Sequence, residues 1–228
     1  MPQNDPREYI CSYYKPMDNV GGDFYDYIYF RNSNKIGIFI SDVSGHGVHA
    51  AFITSMIKTT IHQSGLNKDD PAKLLNYLNC TLADLTADNF IAAFYGIYDP
   101  HTKVLLYSNA GHNHPYIISD KSVHELNCPK SPAISMFSND ILHEANKQFE
   151  NYEKLLPANS KLLLYTDGLV ESCPIDDNIL FEYAMENIFL QYFNNKCYIF
   201  IHNLIKELCV FRKSDKFEDD ICVICLDV

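Results

Sequence analysis

No apolar run in this chain of 228 residues approaches the roughly 20 needed to cross a bilayer. A helical membrane span is therefore not expected. The first residues, Met1 to Tyr9, lack the apolar core of a signal peptide and carry Asp5, Arg7 and Glu8 instead. There is no proline- or glycine-rich linker, internal repeat or low-complexity segment. Positive charge is scarce: 18 Lys and Arg stand against 29 Asp and Glu, a formal net charge of -11. That balance counts against nucleic acid and anionic membranes as partners, because both favour basic surfaces. Arginine is the scarcest cation, present only as Arg7, Arg31 and Arg212. A bidentate arginine clamp for phosphate is thus not apparent. Lys15 is the nearest basic residue to Asp23; it reads either as a point charge for phosphate or as a solvated lysine.

What is present suits a globular protein. Hydrophobic residues make up 47% of the chain and charged residues 21%. The length is enough to bury a core without staples and suits one domain or two small ones. The eight cysteines are scattered, most of them in apolar stretches, as reduced core thiols are. Cys222 and Cys225 form a CxxC within a strand-like run, Ile221 to Val228. Residues three apart on a strand point to opposite faces, which argues against a shared zinc or a redox dithiol. The expectation is a cytoplasmic protein.

Hydrophobic periodicity predicts strands over Glu8–Tyr14, Asp23–Phe30 and Lys35–Asp42, the last two joined by a turn at Arg31–Asn34. The period changes over Gly47–Gln63, where Ala50, Phe52, Ile53, Met56, Ile57 and Ile61 lie close to one helical face. Asp70-Pro71 reads as an N-cap and first-turn proline, opening a second helix to about Thr86. Further strands are expected over Phe90–Tyr98, Lys103–Asn109, Pro115–Ser119, Lys147–Lys154, Lys161–Thr166 and Ile221–Val228. Helices are expected over Asn178–Asn194 and Lys196–Phe211, and 120–146 reads as irregular. Antiparallel-looking strands with two separate helix pairs indicate an α+β layered sandwich. Strict βαβ alternation is absent, which counts against a doubly wound parallel sheet.

Aspartates recur at strand ends beside glycine. Asp23 follows Gly21-Gly22. Asp42 ends a buried strand and precedes Val43-Ser44-Gly45. Asp167 ends the strand Leu162–Thr166 and precedes Gly168, and Asp219-Asp220 opens the last strand. Taken singly, each is a turn or cap residue. Four in one context near the edge of the core, with no basic residue closely flanking Asp42 or Asp167 in sequence, suggest a cation site, because buried carboxylates are costly unless paired or metal-bound. An all-oxygen cluster selects magnesium or manganese over zinc. Two such ions can acidify a shared water and neutralise a phosphoryl group, which suits hydrolysis of a phosphoester without a covalent intermediate.

Five segments in order carry a resemblance: VGGDFYDY (Val20–Tyr27), SDVSGHGVHAA (Ser41–Ala51), NAGHNHPY (Asn109–Tyr116), LLLYTDGLVES (Leu162–Ser172) and DDICVICL (Asp219–Leu226). The chain resembles the metal-dependent PPM-type protein serine/threonine phosphatases, in the bacterial SpoIIE/RsbU branch, from about Tyr9 to its end. The resemblance implies one catalytic domain over residues 1–228, built as a four-layer α-β-β-α sandwich of two mainly antiparallel sheets flanked by helix pairs. It implies two Mn2+ or Mg2+ ions, with Asp42 bridging them and the carbonyl of Val43 binding one. Asp167 and Asp219 would complete the other site, with Asp23 close by through water and Asp220 supporting. Asp42, Asp167 and Asp219 would carry catalysis. The implied substrate is a phosphoserine or phosphothreonine on a protein, typically a STAS-type anti-sigma factor antagonist in a partner-switching pathway. Little chain stands before Asp23 for a sensor domain, so regulation is expected from a separate regulatory protein or from substrate supply.

Three departures from the family pattern stand out. Ala92 replaces the usual threonine, SPAISMF (Ser131–Phe137) lacks the usual glycines, and Pro157-Ala158-Asn159-Ser160 replaces Pro-Gly-Asp. None removes an implied ligand. The histidines His46, His49, His112 and His114 have no tight ligand spacing with a cysteine or carboxylate. Within the resemblance His46 and His112 belong to glycine turns, and His46 is a candidate general acid for a leaving alkoxide. A catalytically inactive phosphoprotein-binding module is the alternative reading, against which the retained acids argue. A small-molecule phosphodiesterase or nuclease fits two-metal chemistry but not the motif order or the acidic balance.

Overall fold

Short β-branched and aromatic runs separated by polar turns give antiparallel ladders throughout. The computed structural model describes residues 8–31, 33–86, 88–127, 129, 131–174 and 178–228, with the backbone of 3–4. Asp5, Arg7, Asn32 of the predicted turn and Cys128 lie outside the described residues. In chain order the elements begin with β1 (Gln3–Asn4), β2 (Ile10–Lys15), β3 (Phe24–Tyr29), β4 (Ile36–Val43) and α1 (Val48–Gln63). A 3-10 turn (Gly65–Asp69) leads to α2 (Pro71–Leu82), β5 (Ile91–Asp99), β6 (Val104–Ala110), β7 (Tyr116–Ile118) and β8 (Val123–Glu125). The remainder is α3 (Asn139–Glu144), β9 (Tyr152–Leu155), β10 (Lys161–Tyr165), α4 (Asp167–Val170), α5 (Glu182–Tyr192), α6 (Cys197–Arg212) and β11 (Ile221–Asp227).

Most elements fall where periodicity puts them, and three expectations are corrected. The stretch 120–146 is not wholly irregular. It holds β8 and α3, and α3 starts where the Ser138 side chain accepts a hydrogen bond from the Ile141 N–H. The strand expected over Lys147–Lys154 forms only as β9, because its first half instead buries Phe149 in the core and lends the Gln148 carbonyl to Ser131. On α1 the apolar face is narrower than expected: Ala50, Ile53, Ile57 and Ile61 are buried, whereas Phe52 is 65% exposed and Met56 36%.

The chain divides into two compact units. The first comprises 1–19, 113–127 and 156–228. Its sheet runs β1-β2-β11-β10-β7-β8, with every ladder antiparallel. On α6, Cys197, Phe200, Ile201, Leu204, Ile205 and Leu208 recur every three or four residues and pack with α5 residues Met185 and Phe189 against Leu163, Val223 and Cys225 of the sheet. Each such large side chain contributes about 1.5–3 kcal/mol by leaving water. Cys225 joins this cluster with Cys11, while the equally buried Cys222 does not, so the CxxC pair does face opposite sides.

The second unit comprises 20–112 and 128–155. Its sheet runs β3-β4-β5-β6-β9, again antiparallel at every ladder. Ile53 and Ile57 of α1 and Leu74, Leu75 and Leu78 of α2 pack on Phe39, Tyr95 and Ile97. The expected N-cap of α2 is present: the Asp70 carboxylate accepts from the Lys73 N–H at 3.1 Å, with Pro71 in the first turn. Among the described residues no helix is long and apolar enough to cross a membrane.

Candidate functional site

In the second unit, antiparallel pairing sets Phe24 opposite Ser41. Asp23, just before β3, and Asp42, near the end of β4, therefore share one end of this sheet. Asp23 is 5% exposed and Asp42 half-buried. Gly22 makes the approach possible: a Cβ there would lie 2.9 Å from the Val43 carbonyl oxygen and 3.1 Å from the Ala50 side chain. The loop after Val43 is tied down by Ser44, whose N–H donates to the Phe90 carbonyl while its Oγ accepts from the Phe90 N–H, both at 2.9 Å. This loop carries the exposed His46 into α1.

In the first unit the same device operates on β10 and β11. Tyr165 pairs with Val223, so the end of β10 meets the start of β11. Thr166 locks the junction: its N–H donates to the Cys222 carbonyl at 3.0 Å, and its hydroxyl accepts from the Cys222 N–H at 2.9 Å. Asp167 then opens α4. Gly168 is pressed against the other acidic turn. A Cβ at this position would collide with the Asp220 carbonyl oxygen and lie 3.3 Å from the Asp219 Cβ. Burial, then the charges of Asp219 and Glu171, raise the Asp167 carboxyl above its ordinary range. Neither Asp167 nor Asp219 forms an ion pair among the described residues. Asp220 is used otherwise: its carboxylate accepts from the Met17 N–H at 2.7 Å, which ties the turn to the end of β2.

The implied residues are thus brought together in two sets, the Asp23 and Asp42 pair with Val43 beside it, and the Asp167 and Asp219 pair. Among the described residues no three His, Cys, Asp or Glu side chains stand in a metal-ligating group. The chemistry of each pair still fits a hard cation, since both consist of oxygen donors and the Asp167 pair is crowded with like charge. Two histidine contacts concern rings or backbone away from the acids, and the His114 ring meets the Leu126 carbonyl at 3.3 Å. Asn109 closes the turn at Gly111 by donating to the His112 carbonyl at 3.0 Å and accepting its N–H at 2.8 Å, and the His49 ring meets Asn89 at 3.3 Å. The Lys15 ammonium donates to the Asp215 carbonyl at 2.6 Å in an exposed hydrogen bond and lies 4.6 Å over the Phe217 ring. Sequence reasoning misses Glu171, although it stands four residues after Asp167 across one helical turn, where charges meet. It likewise gives no separate role to Ser172.

The family profile described as Stage II sporulation protein E (SpoIIE) matches residues 32–228. The chain is 30% identical over 176 residues to phosphoserine phosphatase RsbP of Bacillus subtilis, covering 74% of this chain and 42% of RsbP. The chain therefore spans less than half the length of that relative. Its structure is similar to the SiaA-PP2C domain of Pseudomonas aeruginosa, with a TM-score of 0.81 and 20% identity over 97% of this chain and 85% of that one. It is also similar to RsbX in complex with magnesium, with a TM-score of 0.67 and 15% identity over 99% of this chain and 98% of that one. The fold is that of PP2C domains.

Proposed function

The chain belongs to the SpoIIE family, and from that premise we propose that residues 1–228 act as one catalytic domain, a metal-dependent protein phosphatase that hydrolyses phosphoserine or phosphothreonine. The substrate proposed is a phosphorylated STAS-type anti-sigma factor antagonist, met in the cytoplasm. RsbP, which bears the name phosphoserine phosphatase, supports the reaction class. The observation that carries the reading is the apposition of the Asp167 and Asp219 turns, two carboxylates without a basic partner, made possible by Gly168. Proposed ligands are Asp23, Asp42, the Val43 carbonyl, Asp167 and Asp219, holding Mg2+ or Mn2+, two ions in all. RsbX in its magnesium complex supports that choice of cation.

Bound metal supplies acidified water and offsets phosphoryl charge. The chain's own residues supply the rest. The carboxylates are fixed at strand ends, so little reorganisation is needed as charge shifts. Thr166 and Asn109 hold the neighbouring turns rigid through their bonds to Cys222 and His112. Asp220 fixes the backbone beside Asp219.

Turnover of phosphorylated STAS proteins should require added Mn2+ or Mg2+, stop with a chelator, and be lost in Asp42→Ala and Asp167→Ala. Turnover retained in both variants overturns the reading. Metal bound without turnover, in the wild-type chain, leaves the phosphoprotein-binding module instead.

A further inference from the structure

We propose that Arg212 is a positioning residue that holds the Asp167 and Asp219 turns in register for metal binding, an inference that rests on the metal-dependent reading above. Arg212 is the last residue of α6 and is 2% exposed. A buried guanidinium is costly, and an apolar side chain of similar volume is often as stable or more so. Its presence there therefore asks for a reason, which its contacts supply.

One guanidinium touches both acid-bearing segments. Nη1 donates to the Ser172 hydroxyl at 3.2 Å, and that hydroxyl donates to the Gly168 carbonyl at 2.7 Å. The relay ends on the residue after Asp167. Nη2 lies 3.6 Å from the Glu218 carboxylate, on the residue before Asp219. The guanidinium also lies 5.5 Å from the Phe217 ring, whose centroid is 4.6 Å from the Lys15 ammonium. Phe217 is thus in contact with a cation from the end of α6 and one from β2, and Lys15 further binds the Asp215 carbonyl. The segment from α6 to Asp219 is pinned at 215, 217 and 218, while the Asp167 turn is pinned at 168 and 172. Arg212 is the one side chain among these contacts that belongs to both sets. Its Nε makes no hydrogen bond among the described residues, so the group is not placed for its own best satisfaction.

Outer contacts that orient metal-binding side chains are typically worth 10–100-fold in metal affinity or activity. The test compares wild type, Arg212→Gln, Ser172→Ala and Leu208→Ala, each as the full chain. Leu208 is buried one turn before Arg212 on the same helix, takes no part in the hydrogen bonds of the relay and reports generic destabilisation. Calorimetry with Mn2+ alone gives affinity, and turnover of p-nitrophenyl phosphate gives the half-activating Mn2+ concentration and KM. Arg212→Gln and Ser172→Ala should weaken Mn2+ binding about tenfold and raise half-activation by the same factor, with KM for the ester unchanged. Leu208→Ala should lower the melting temperature and leave Mn2+ affinity within about twofold of wild type. Should Arg212→Gln not fold, Ser172→Ala, which removes no charge, decides the question. Unmoved Mn2+ affinity in Ser172→Ala and Arg212→Gln, or an equal loss in Leu208→Ala, overturns the positioning role while leaving an active wild type intact. A wild type that neither binds Mn2+ nor hydrolyses the ester overturns the functional reading and the role of Arg212 with it.

Discussion

Ala92 lies directly opposite Asp42 in the β4–β5 ladder. Directly opposed residues bring their Cβ atoms within about 4.5–5.5 Å on one face of a sheet, so a hydroxyl at position 92 would reach the Asp42 carboxylate. The phosphatases this chain resembles usually carry threonine here. Ala92 is half-buried, which leaves room for the larger side chain. In Ala92→Thr the added hydrogen bond should contribute about 1 kcal/mol. The half-activating Mn2+ concentration should then fall roughly fivefold. A titration of turnover against Mn2+ in both proteins checks this; an unchanged midpoint would show that the hydroxyl contributes nothing.

The Gly168 turn has no space for a side chain, since a Cβ would meet the Asp220 carbonyl oxygen. Gly168→Ala must push the Asp167 and Asp219 turns apart. Overpacking of this kind costs about 1–3 kcal/mol, so the melting temperature should drop by several degrees. Mn2+ affinity should fall together with it. A variant that melts like wild type and still binds Mn2+ would contradict the close apposition of the two turns.

The Asp227 carboxylate serves two groups. It accepts from the Lys161 ammonium and, at 2.8 Å, from the Cys197 N–H at the start of α6. Lys161 is only 5% exposed and also donates to the Asn195 carbonyl at 2.7 Å. Asp227→Ala leaves that ammonium buried without its counter-charge and should cost about 3–5 kcal/mol in urea denaturation. The double variant Lys161→Met with Asp227→Ala should recover part of the loss, because no buried charge remains. Equal losses in single and double variants would show that the α6 N–H, not the charge pair, is the main contribution.

Asp70 caps α2, and its effect should depend on pH. Burial opposes its ionisation, but the Asn151 amide, the Lys73 N–H and the Lys73 charge outweigh burial and hold its carboxyl below the usual 3.8. A depressed carboxylate stabilises the fold above its unfolded pKa, and the benefit is lost as pH falls through the lower folded value. Asp70→Ala should therefore cost about 1 kcal/mol at neutral pH. The gap between the two proteins should close as the pH is taken below about 4. Chemical denaturation across that range tests it; a gap that persists in acid would assign the effect to something other than the ionised cap.

Local stereochemistry makes much of this protein legible in its sequence. Apolar and alternating runs announce β4, β5 and β11, Asp70-Pro71 announces the start of α2, and glycines beside aspartates mark the turns where Asp42 and Asp167 stand. The order of five short motifs points to the family, although no one of them is specific by itself. Sequence also separates Cys222 from Cys225, because a strand's two-residue period decides their faces.

Other features depend on the chain returning to itself. Nothing near Phe52 or Met56 distinguishes them from Ile53 and Ile57; which apolar residues of α1 are buried is decided by where Phe39 and Tyr95 of the sheet lie. The Asp220 carboxylate is taken by Met17, 203 residues away, and Arg212 reaches Ser172 across 40 residues. Periodicity reports which way a side chain points along its own element. It carries no information about which distant N–H or hydroxyl arrives there, and that arrival separates the supporting Asp220 from the carboxylates left facing one another without a basic partner.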